Sequence, residues 1–170
     1  MEVSRSEGPK NNFLQKVRDI ATENNIILIF DECTSGFRET FGGLHKKFGV
    51  NPDLAVFAKA LGNGYAISAC IGRKEFMQAA QKTFISSTFW TERIGPAAAL
   101  KTLEVMERTK SWVKITNTGL NIRGYWQDLA REYDLDLKVF GLPAVQSYAF
   151  DSEKNLEYKT LILISPALIV

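Results

Sequence analysis

Two residues of opposite charge stand at the ends of apolar runs, where ligand sites are often built. Asp31 directly follows the run Ile26–Phe30, and Lys59 directly follows the run Leu54–Ala58. Ligands of an open parallel sheet bind at the carboxyl ends of its strands, so both side chains could face one crevice. A carboxylate and an ammonium beside apolar residues are costly unless each meets a partner or a ligand. The spacing leaves open a ligand site, an ion pair between the two residues, or two solvated loop residues.

The run that ends in Asp31-Glu32 has a second interpretation, as the magnesium-binding strand of a P-loop ATPase. That strand also reads as an apolar run followed by Asp-Glu. However, no G-x-x-x-x-G-K-[ST] phosphate loop occurs in the chain, and Gly62-Asn63-Gly64 lacks the third glycine of a dinucleotide fingerprint. An ATPase would need its first half to lie outside this chain, so this interpretation is the weaker alternative.

Hydrophobic periodicity predicts helices and strands that alternate along most of the chain. Helices are predicted over residues 10–24, 74–83, 95–109 and 112–133, and apolar strands over 26–30, 54–58 and 67–71. The unbroken run at 26–30 is typical of a strand covered on both faces in a parallel sheet. After Asp134 the pattern changes to period two, which predicts strands near 135–139 and 145–150. This order indicates an α/β unit over 1–110 followed by α+β material over 111–170.

Composition and charge make several classes of function improbable for this chain. Its 170 residues are 45% hydrophobic and 24% charged, as in ordinary globular proteins. The net charge of +2 is too balanced to predict a nucleic-acid or membrane partner. Two widely spaced cysteines, Cys33 and Cys70, and one histidine, His45, offer neither a disulfide framework nor a metal-ligand set. The charged first ten residues do not suit a signal peptide, so we expect a cytoplasmic protein.

Four segments occur in an order that is more specific than any single short motif. They are I-L-I-F-D-E-C-T-S-G-F-R at 27–38, N-P-D-L-A-V-F-A-K-A-L-G-N-G-Y at 51–65, I-G-R at 71–73 and S-S-T-F-W-T-E at 86–92. Together they resemble the class III aminotransferases, which are pyridoxal-phosphate enzymes of fold type I. The resemblance implies part of that family's large domain, a mostly parallel sheet with helices, followed by the start of its α+β C-terminal small domain.

The resemblance also implies roles for individual residues. Lys59 would hold pyridoxal 5'-phosphate as an internal aldimine, because only a primary amine forms the imine, and the same amine could later move a proton. Asp31 would pair with the pyridine nitrogen, where a carboxylate keeps the ring protonated and makes it an electron sink. Cys33 would lie against the ring face. Thr88 would reach the cofactor phosphate, in this family usually from the neighbouring subunit.

Phe37-Arg38 followed by Phe41-Gly42-Gly43 resembles the glutamate-1-semialdehyde aminomutase branch of the family. This implies transfer of an amino group between or within small molecules, by an enzyme that is a homodimer in its complete form. The resemblance further implies that the family's earlier half lies outside this chain and that Thr160–Val170 is an unrelated apolar tail. The alternative is a catalytically inactive fragment that serves only as a structural or interaction module.

Overall fold

The computed structural model describes residues 8–89, 91–150 and 162–164. The helices are α1 (Phe13–Glu23), α2 (Lys74–Met77), α3 (Ile94–Thr109) and α4 (Ser111–Glu132), and the strands are β1 (Ile29–Asp31), β2 (Leu54–Phe57), β3 (Ala69–Gly72), β4 (Leu137–Phe140), β5 (Gln146–Phe150) and β6 (Ile162–Ile164). Short 3₁₀ turns occur at Leu44–Phe48, Lys59–Leu61, Gln78–Lys82 and Pro143–Val145. Within these residues, no helix combines the length and the apolar character that a membrane span needs.

The first sheet has the strand order β1-β2-β3. β1 and β2 are parallel, with Asp31 opposite Val56, whereas β3 runs antiparallel to β2, with Cys70 opposite Val56. The predicted strands at 54–58 and 67–71 are therefore present, but the latter does not run in the parallel direction that its apolar run suggested. A parallel connection needs a crossover of a dozen or more residues. The short segment 58–68 is sufficient only for a reversal of direction.

β1 differs from the predicted strand at 26–30, which was expected to be covered on both faces. Only Phe30 is buried on this run, whereas Ile27 and Ile29 are about half exposed. Leu28, just before the strand, is bound to Asp53: its N–H donates to the Asp53 carboxylate, and its carbonyl accepts the Asp53 N–H, each at 2.8 Å. Among the described residues, β1 is thus covered on one face only.

The helices predicted from periodicity are confirmed, with no end shifted by more than three residues for α1, α3 and α4. The helix predicted over 74–83 is shorter, because α2 continues as a 3₁₀ turn. α3 packs on the first sheet, where Met106 and Ala99 join a buried cluster with Phe37 and Phe57. Lys110, with a left-handed φ of 50°, alone separates α3 from α4. The subdomain boundary predicted near this point stays a prediction.

A buried polar clamp fixes α4 to the second sheet, which has the order β4-β5-β6. Gln146 donates from Nε2 to the Gly119 carbonyl at 2.9 Å and accepts from Arg123 Nε at 3.0 Å. At position 119 a Cβ atom would lie 2.0 Å from the carbonyl oxygen of Pro143. Glycine is therefore required where α4 crosses the turn at Pro143–Val145.

The end of the chain does not match the expected unrelated tail. Ile162–Ile164 form β6, which pairs antiparallel with β5 and places Ile162 opposite Tyr148. β6 thereby pairs the backbone N–H and C=O groups along one edge of β5. The remaining residues of the expected tail, 160–161 and 165–170, lie outside the described residues.

A buried carboxylate at the amino end of β2 joins three segments: α1, the residue before β1 and the residue after β3. Asp53 is 2% exposed. Its oxygens accept from Arg18 of α1 at 2.9 Å, from Leu28 N–H at 2.8 Å and from Arg73, which follows β3, at 3.1 Å. Burial alone would raise the pKa of this carboxyl, but these donors outweigh burial and hold its pKa below the usual value. The fold therefore stabilises the ionised form.

We expect Asp53 to stabilise the fold at neutral pH and to lose that contribution in acid. Because its pKa is lower in the folded chain, this stability is complete above the unfolded value of about 3.9 and is lost as the pH falls through the folded value. Asp53→Asn should lower the free energy of unfolding by roughly 1–3 kcal/mol at neutral pH, since Arg18 loses a buried anionic partner. Urea denaturation at several pH values measures both effects. Asp128→Asn, on the exposed surface of α4, is the control, and an unchanged acid profile in Asp53→Asn would contradict this role.

The 170-residue chain is expected to self-associate through its first sheet. Ile27, Ile29 and Ile71 are each about half exposed, and among the described strands β1 and β3 each pair along one edge only. Exposed apolar side chains beside an unpaired strand edge favour association. Sedimentation velocity at rising concentration should show growing species, and Ile27→Lys with Ile29→Lys should suppress them more than Tyr125→Lys on α4. A monomer at every concentration would show that these edges do not associate.

Candidate active site

The parallel pairing of β1 and β2 brings Asp31 and Lys59 to the carboxyl-end edge of the first sheet, meaning the side on which both strands finish. Asp31 is the last residue of β1, and Lys59 lies two residues past the end of β2. The segments that follow β1 and β2 leave the sheet side by side, since the Glu32 N–H donates to the Val56 carbonyl at 2.8 Å. Lys59 then reaches across to the loop after β1, where its Nζ donates to Thr34 Oγ1. This carboxyl-end edge of the sheet therefore holds a primary amine, a carboxylate and a hydroxyl on adjacent segments.

The backbone of Lys59 is unusual for a residue other than glycine. Its φ is +48°, in the left-handed region, although Ala58 before it is extended. The Lys59 carbonyl accepts the N–H groups of Gly62 at 3.2 Å and Asn63 at 3.1 Å, which hold the turn. A left-handed lysine costs of the order of 1 kcal/mol or more and persists where the surroundings fix it. Such conformations concentrate at functional sites, which supports a role for Lys59.

Asp31 and Cys33 are joined by a local hydrogen bond after β1. The Asp31 carboxylate accepts the Cys33 N–H at 3.0 Å, which orients it at the sheet edge. The Asp31 side chain is exposed, and Cys33 is half-buried. Thr88 belongs to another segment, the exposed turn before α3, so neither strand end positions it. The predicted contacts of Cys33 with the cofactor ring and of Thr88 with its phosphate stay predictions.

Glu32 supports the loop after β1, a role that the sequence did not reveal. Its side chain is fully buried. One carboxylate oxygen accepts the His45 N–H at 2.9 Å and lies 3.0 Å from His45 Nδ1, and the other accepts the Ser35 hydroxyl. Glu32 is thus bound to the start and the end of the loop. The ATPase alternative loses its support, because this carboxylate is committed to the loop and not to the crevice.

The same loop is also bound to α4. Arg38 Nε donates to the Thr34 carbonyl at 3.3 Å, and Thr116 of α4 donates to the Arg38 carbonyl at 3.3 Å. The rings of Phe41 and Trp112 lie 5.4 Å apart. Burial lowers the pKa of the Arg38 guanidinium, which nevertheless stays charged at neutral pH. Thr34 therefore lies on a segment that is fixed at several points.

A cavity of about 670 Å³ runs along β2, from Asp53 before its first residue to Phe57 at its last. Its lining includes Arg18 and Arg73 with their common partner Asp53. Neither Asp31 nor Lys59 contributes to it. Among the described residues, no group of three or more His, Cys, Asp or Glu side chains could hold a metal ion.

Comparison with known sequences places the chain in a family. The class-III aminotransferase model matches residues 6–163, so the match includes part of the segment that was expected to be unrelated. The chain is 39% identical over 154 residues to 3-aminobutyryl-CoA aminotransferase of Cloacimonas acidaminovorans (strain Evry), which covers 90% of this chain and 37% of the relative. It is 34% identical over 157 residues to glutamate-1-semialdehyde 2,1-aminomutase of Nitrosopumilus maritimus (strain SCM1). That match covers 89% of this chain and 37% of the relative.

Solved structures show the same fold. The internal aldimine form of the FumI protein of Sphingopyxis sp. MTA144, which contains pyridoxal phosphate, superposes with a TM-score of 0.81 at 26% identity, over 88% of this chain and 38% of that one. Ornithine aminotransferase of Plasmodium yoelii superposes with a TM-score of 0.74 at 22% identity, over 95% and 48%, and this supports the fold alone. The predicted partial large domain of fold type I is confirmed.

The extent of these matches decides what they establish. The chain spans 37% of the length of the two curated relatives, so they bear on the activity of the complete protein only as a basis for a proposal. The family model, in contrast, matches nearly the whole chain. The chain belongs to the class-III aminotransferases, a family that uses pyridoxal phosphate as its cofactor.

Proposed function

We propose that the complete protein transfers an amino group of small molecules and that pyridoxal phosphate binds at the carboxyl ends of β1 and β2. The observation that supports this most directly is the pairing of the two strand ends, with Asp31 opposite Val56 and Lys59 Nζ bound to the loop after β1. The family's cofactor is the second support. The site, the reaction and the location of the complete protein in the cytoplasm are part of the proposal.

The side chains at this edge fit the chemistry of that cofactor. An aldehyde needs a primary amine, which Lys59 supplies, and a basic ring nitrogen needs an acidic partner, which Asp31 supplies. The Cys33 N–H orients the Asp31 carboxylate at 3.0 Å. Thr88, on an exposed turn, is available to a phosphate bound by a second subunit. The family resemblance assigns this contact to the neighbouring subunit, so the proposal includes a homodimer.

Each of these residues has a defined part in the proposed reaction. Lys59 binds the cofactor covalently and, when substrate replaces it, moves a proton between carbon atoms as a general base and acid. Asp31 keeps the ring nitrogen protonated. The cofactor, when bound, supplies the electron sink that makes removal of that proton possible. Cys33 lies against the face of the ring.

The relatives leave two kinds of amino transfer for the complete protein. One is named as an aminotransferase, which acts between two molecules, and the other as an aminomutase, which acts within one. We include both in the proposal. The Phe37-Arg38 segment, which resembles the aminomutase branch, favours the second for a substrate that carries both an amine and a carbonyl group.

Lys59 is expected to be the lysine that binds pyridoxal phosphate in the complete protein. Borohydride reduction and peptide mapping should place the pyridoxyl label on Lys59. Lys59→Ala and Lys59→Arg should both abolish the label and the first half-reaction, because neither alanine nor a guanidinium forms the imine.

Lys101→Ala is the matched control, since Lys101 is an exposed lysine paired with Glu104 on α3. It should leave labelling and turnover unchanged. A label on Lys82, Lys101 or Lys138 in the unsubstituted protein would remove Lys59 from the proposed site.

Asp31→Asn is expected to retain the cofactor and to lower turnover by about a hundredfold or more, because an amide does not hold the ring proton. Asp31→Glu should give an intermediate rate, since the added methylene displaces the carboxylate by about an ångström. Single-turnover kinetics with cofactor absorbance measures both binding and rate. Asp136→Asn, an exposed residue before β4, is the control. A normal rate in Asp31→Asn would exclude this role.

The inactive-fragment alternative makes a different prediction for the complete protein. A chain that serves only as a structural module would bind pyridoxal phosphate equally weakly with Lys59 and with Lys59→Ala. Equilibrium dialysis of the two proteins distinguishes the alternatives, because the proposed function requires a large loss of binding in the variant.

A further inference from the structure

The side chain of Lys59 is held at its reactive end as well as at its backbone. Its Nζ donates to Thr34 Oγ1, which is contributed by a loop 25 residues earlier in the chain. Lys59 is otherwise an exposed side chain, and a lysine in water samples many rotamers. A hydrogen bond at Nζ selects the rotamers that keep the amine beside the end of β1. This contact is not one that the sequence predicted.

Thr34 is suited to hold the amine because it is itself fixed. Arg38 Nε donates to the Thr34 carbonyl at 3.3 Å, and Glu32 binds the adjacent Ser35 hydroxyl within a fully buried network. Threonine is also stiff about χ1, since it is branched at Cβ. The hydroxyl therefore has a defined position relative to Asp31, three residues before it.

A hydroxyl is also suited to both protonation states of the amine. It accepts a hydrogen bond from an ammonium, and it can donate one to a neutral amine. The contact therefore persists when Lys59 loses the proton that it must lose before its nitrogen can attack an aldehyde. A carboxylate at this position would instead favour the ammonium strongly. Thr34 thus can direct the amine without fixing its charge.

From these observations we infer that Thr34 is a positioning residue for Lys59, whose hydroxyl directs the lysine amine toward the carbonyl carbon of the cofactor. This inference rests on the proposed function, because it requires Lys59 to be the cofactor lysine. In the step that it would assist, the nitrogen of the neutral Lys59 amine and the aldehyde carbon form a C=N bond in place of the C=O bond, and the aldehyde oxygen leaves as water with the two hydrogens of the amine.

The test follows covalent attachment of pyridoxal phosphate to the complete protein after its cofactor has been removed. Absorbance gives the rate at several pH values, and borohydride reduction with peptide mapping identifies the lysine. Thr34→Val keeps the shape of the side chain and should slow attachment about tenfold, the effect of losing one hydrogen bond. The pH midpoint of the rate should not move. Thr34→Ser should restore the rate to within about threefold.

Thr40→Val is the matched control, because the Thr40 hydroxyl bonds to the Gly43 carbonyl at 2.8 Å on the same loop and not to Lys59. It should attach cofactor at the normal rate. If Thr34→Val fails to fold, as judged by its thermal midpoint, Thr34→Ala takes its place with the same expectation.

The outcomes separate this inference from the proposed function. A normal rate in Thr34→Val, an equally slow Thr34→Ser, or an equally slow Thr40→Val would overturn the positioning role, as would a shifted pH midpoint with an unchanged maximal rate. In each of these cases a label that stays on Lys59 leaves the proposed function intact. A label on another lysine in the unsubstituted protein would overturn both.

Discussion

The parallel register of β1 and β2 is the constraint on which the candidate site depends. With Asp31 opposite Val56, the carboxylate and the lysine turn leave the sheet at the same level and on neighbouring segments. A slip of one residue would move the strand by about 3.3 Å and turn its side chains to the opposite face. Asp31 would then no longer lie at the edge that Lys59 reaches. Strand pairing thus determines which side chains lie together at the site.

Two buried carboxylates lie at opposite ends of this strand pair. Asp53 binds the Leu28 N–H before β1 begins, and Glu32 binds His45 and Ser35 after β1 ends. A buried carboxylate is costly unless donors surround it, as both are here. Asp53 directly precedes β2 and would lose the Leu28 N–H in another register, whereas Glu32 fixes the loop that connects the two strands. This is a physical reason for acidic residues directly beside the apolar runs of a sheet.

Patterns that repeat along the chain predicted much of this structure. The helical spacing of apolar residues gave α1, α3 and α4 to within a few residues, and the ends of apolar runs indicated Asp31 and Lys59. The face of β1 that stays exposed was not predictable, because an apolar run does not state what covers it. The direction of β3 could have been found from the short connection before it.

The polar contacts that shape the site were beyond the reach of the sequence. Glu32 and His45 lie 13 residues apart, and Thr34 and Lys59 lie 25 residues apart, so sequence spacing does not predict either contact. The sequence indicates Glu32 only as part of the alternative magnesium-binding strand, and His45 only as one residue too few for a metal-ligand set. Hydrogen bonds of this kind arise when tertiary packing brings distant segments together, and single-residue patterns do not contain that information.

Lys110 is the single residue between α3 and α4, and its left-handed backbone lets α4 begin directly after α3 ends. The first turns of α4 contact the loop that holds Thr34, through Trp112 and Thr116. Further along the same helix, the Gly119 carbonyl accepts a hydrogen bond from Gln146 of the second sheet. The loop beside Lys59 and the second sheet therefore share one structural support.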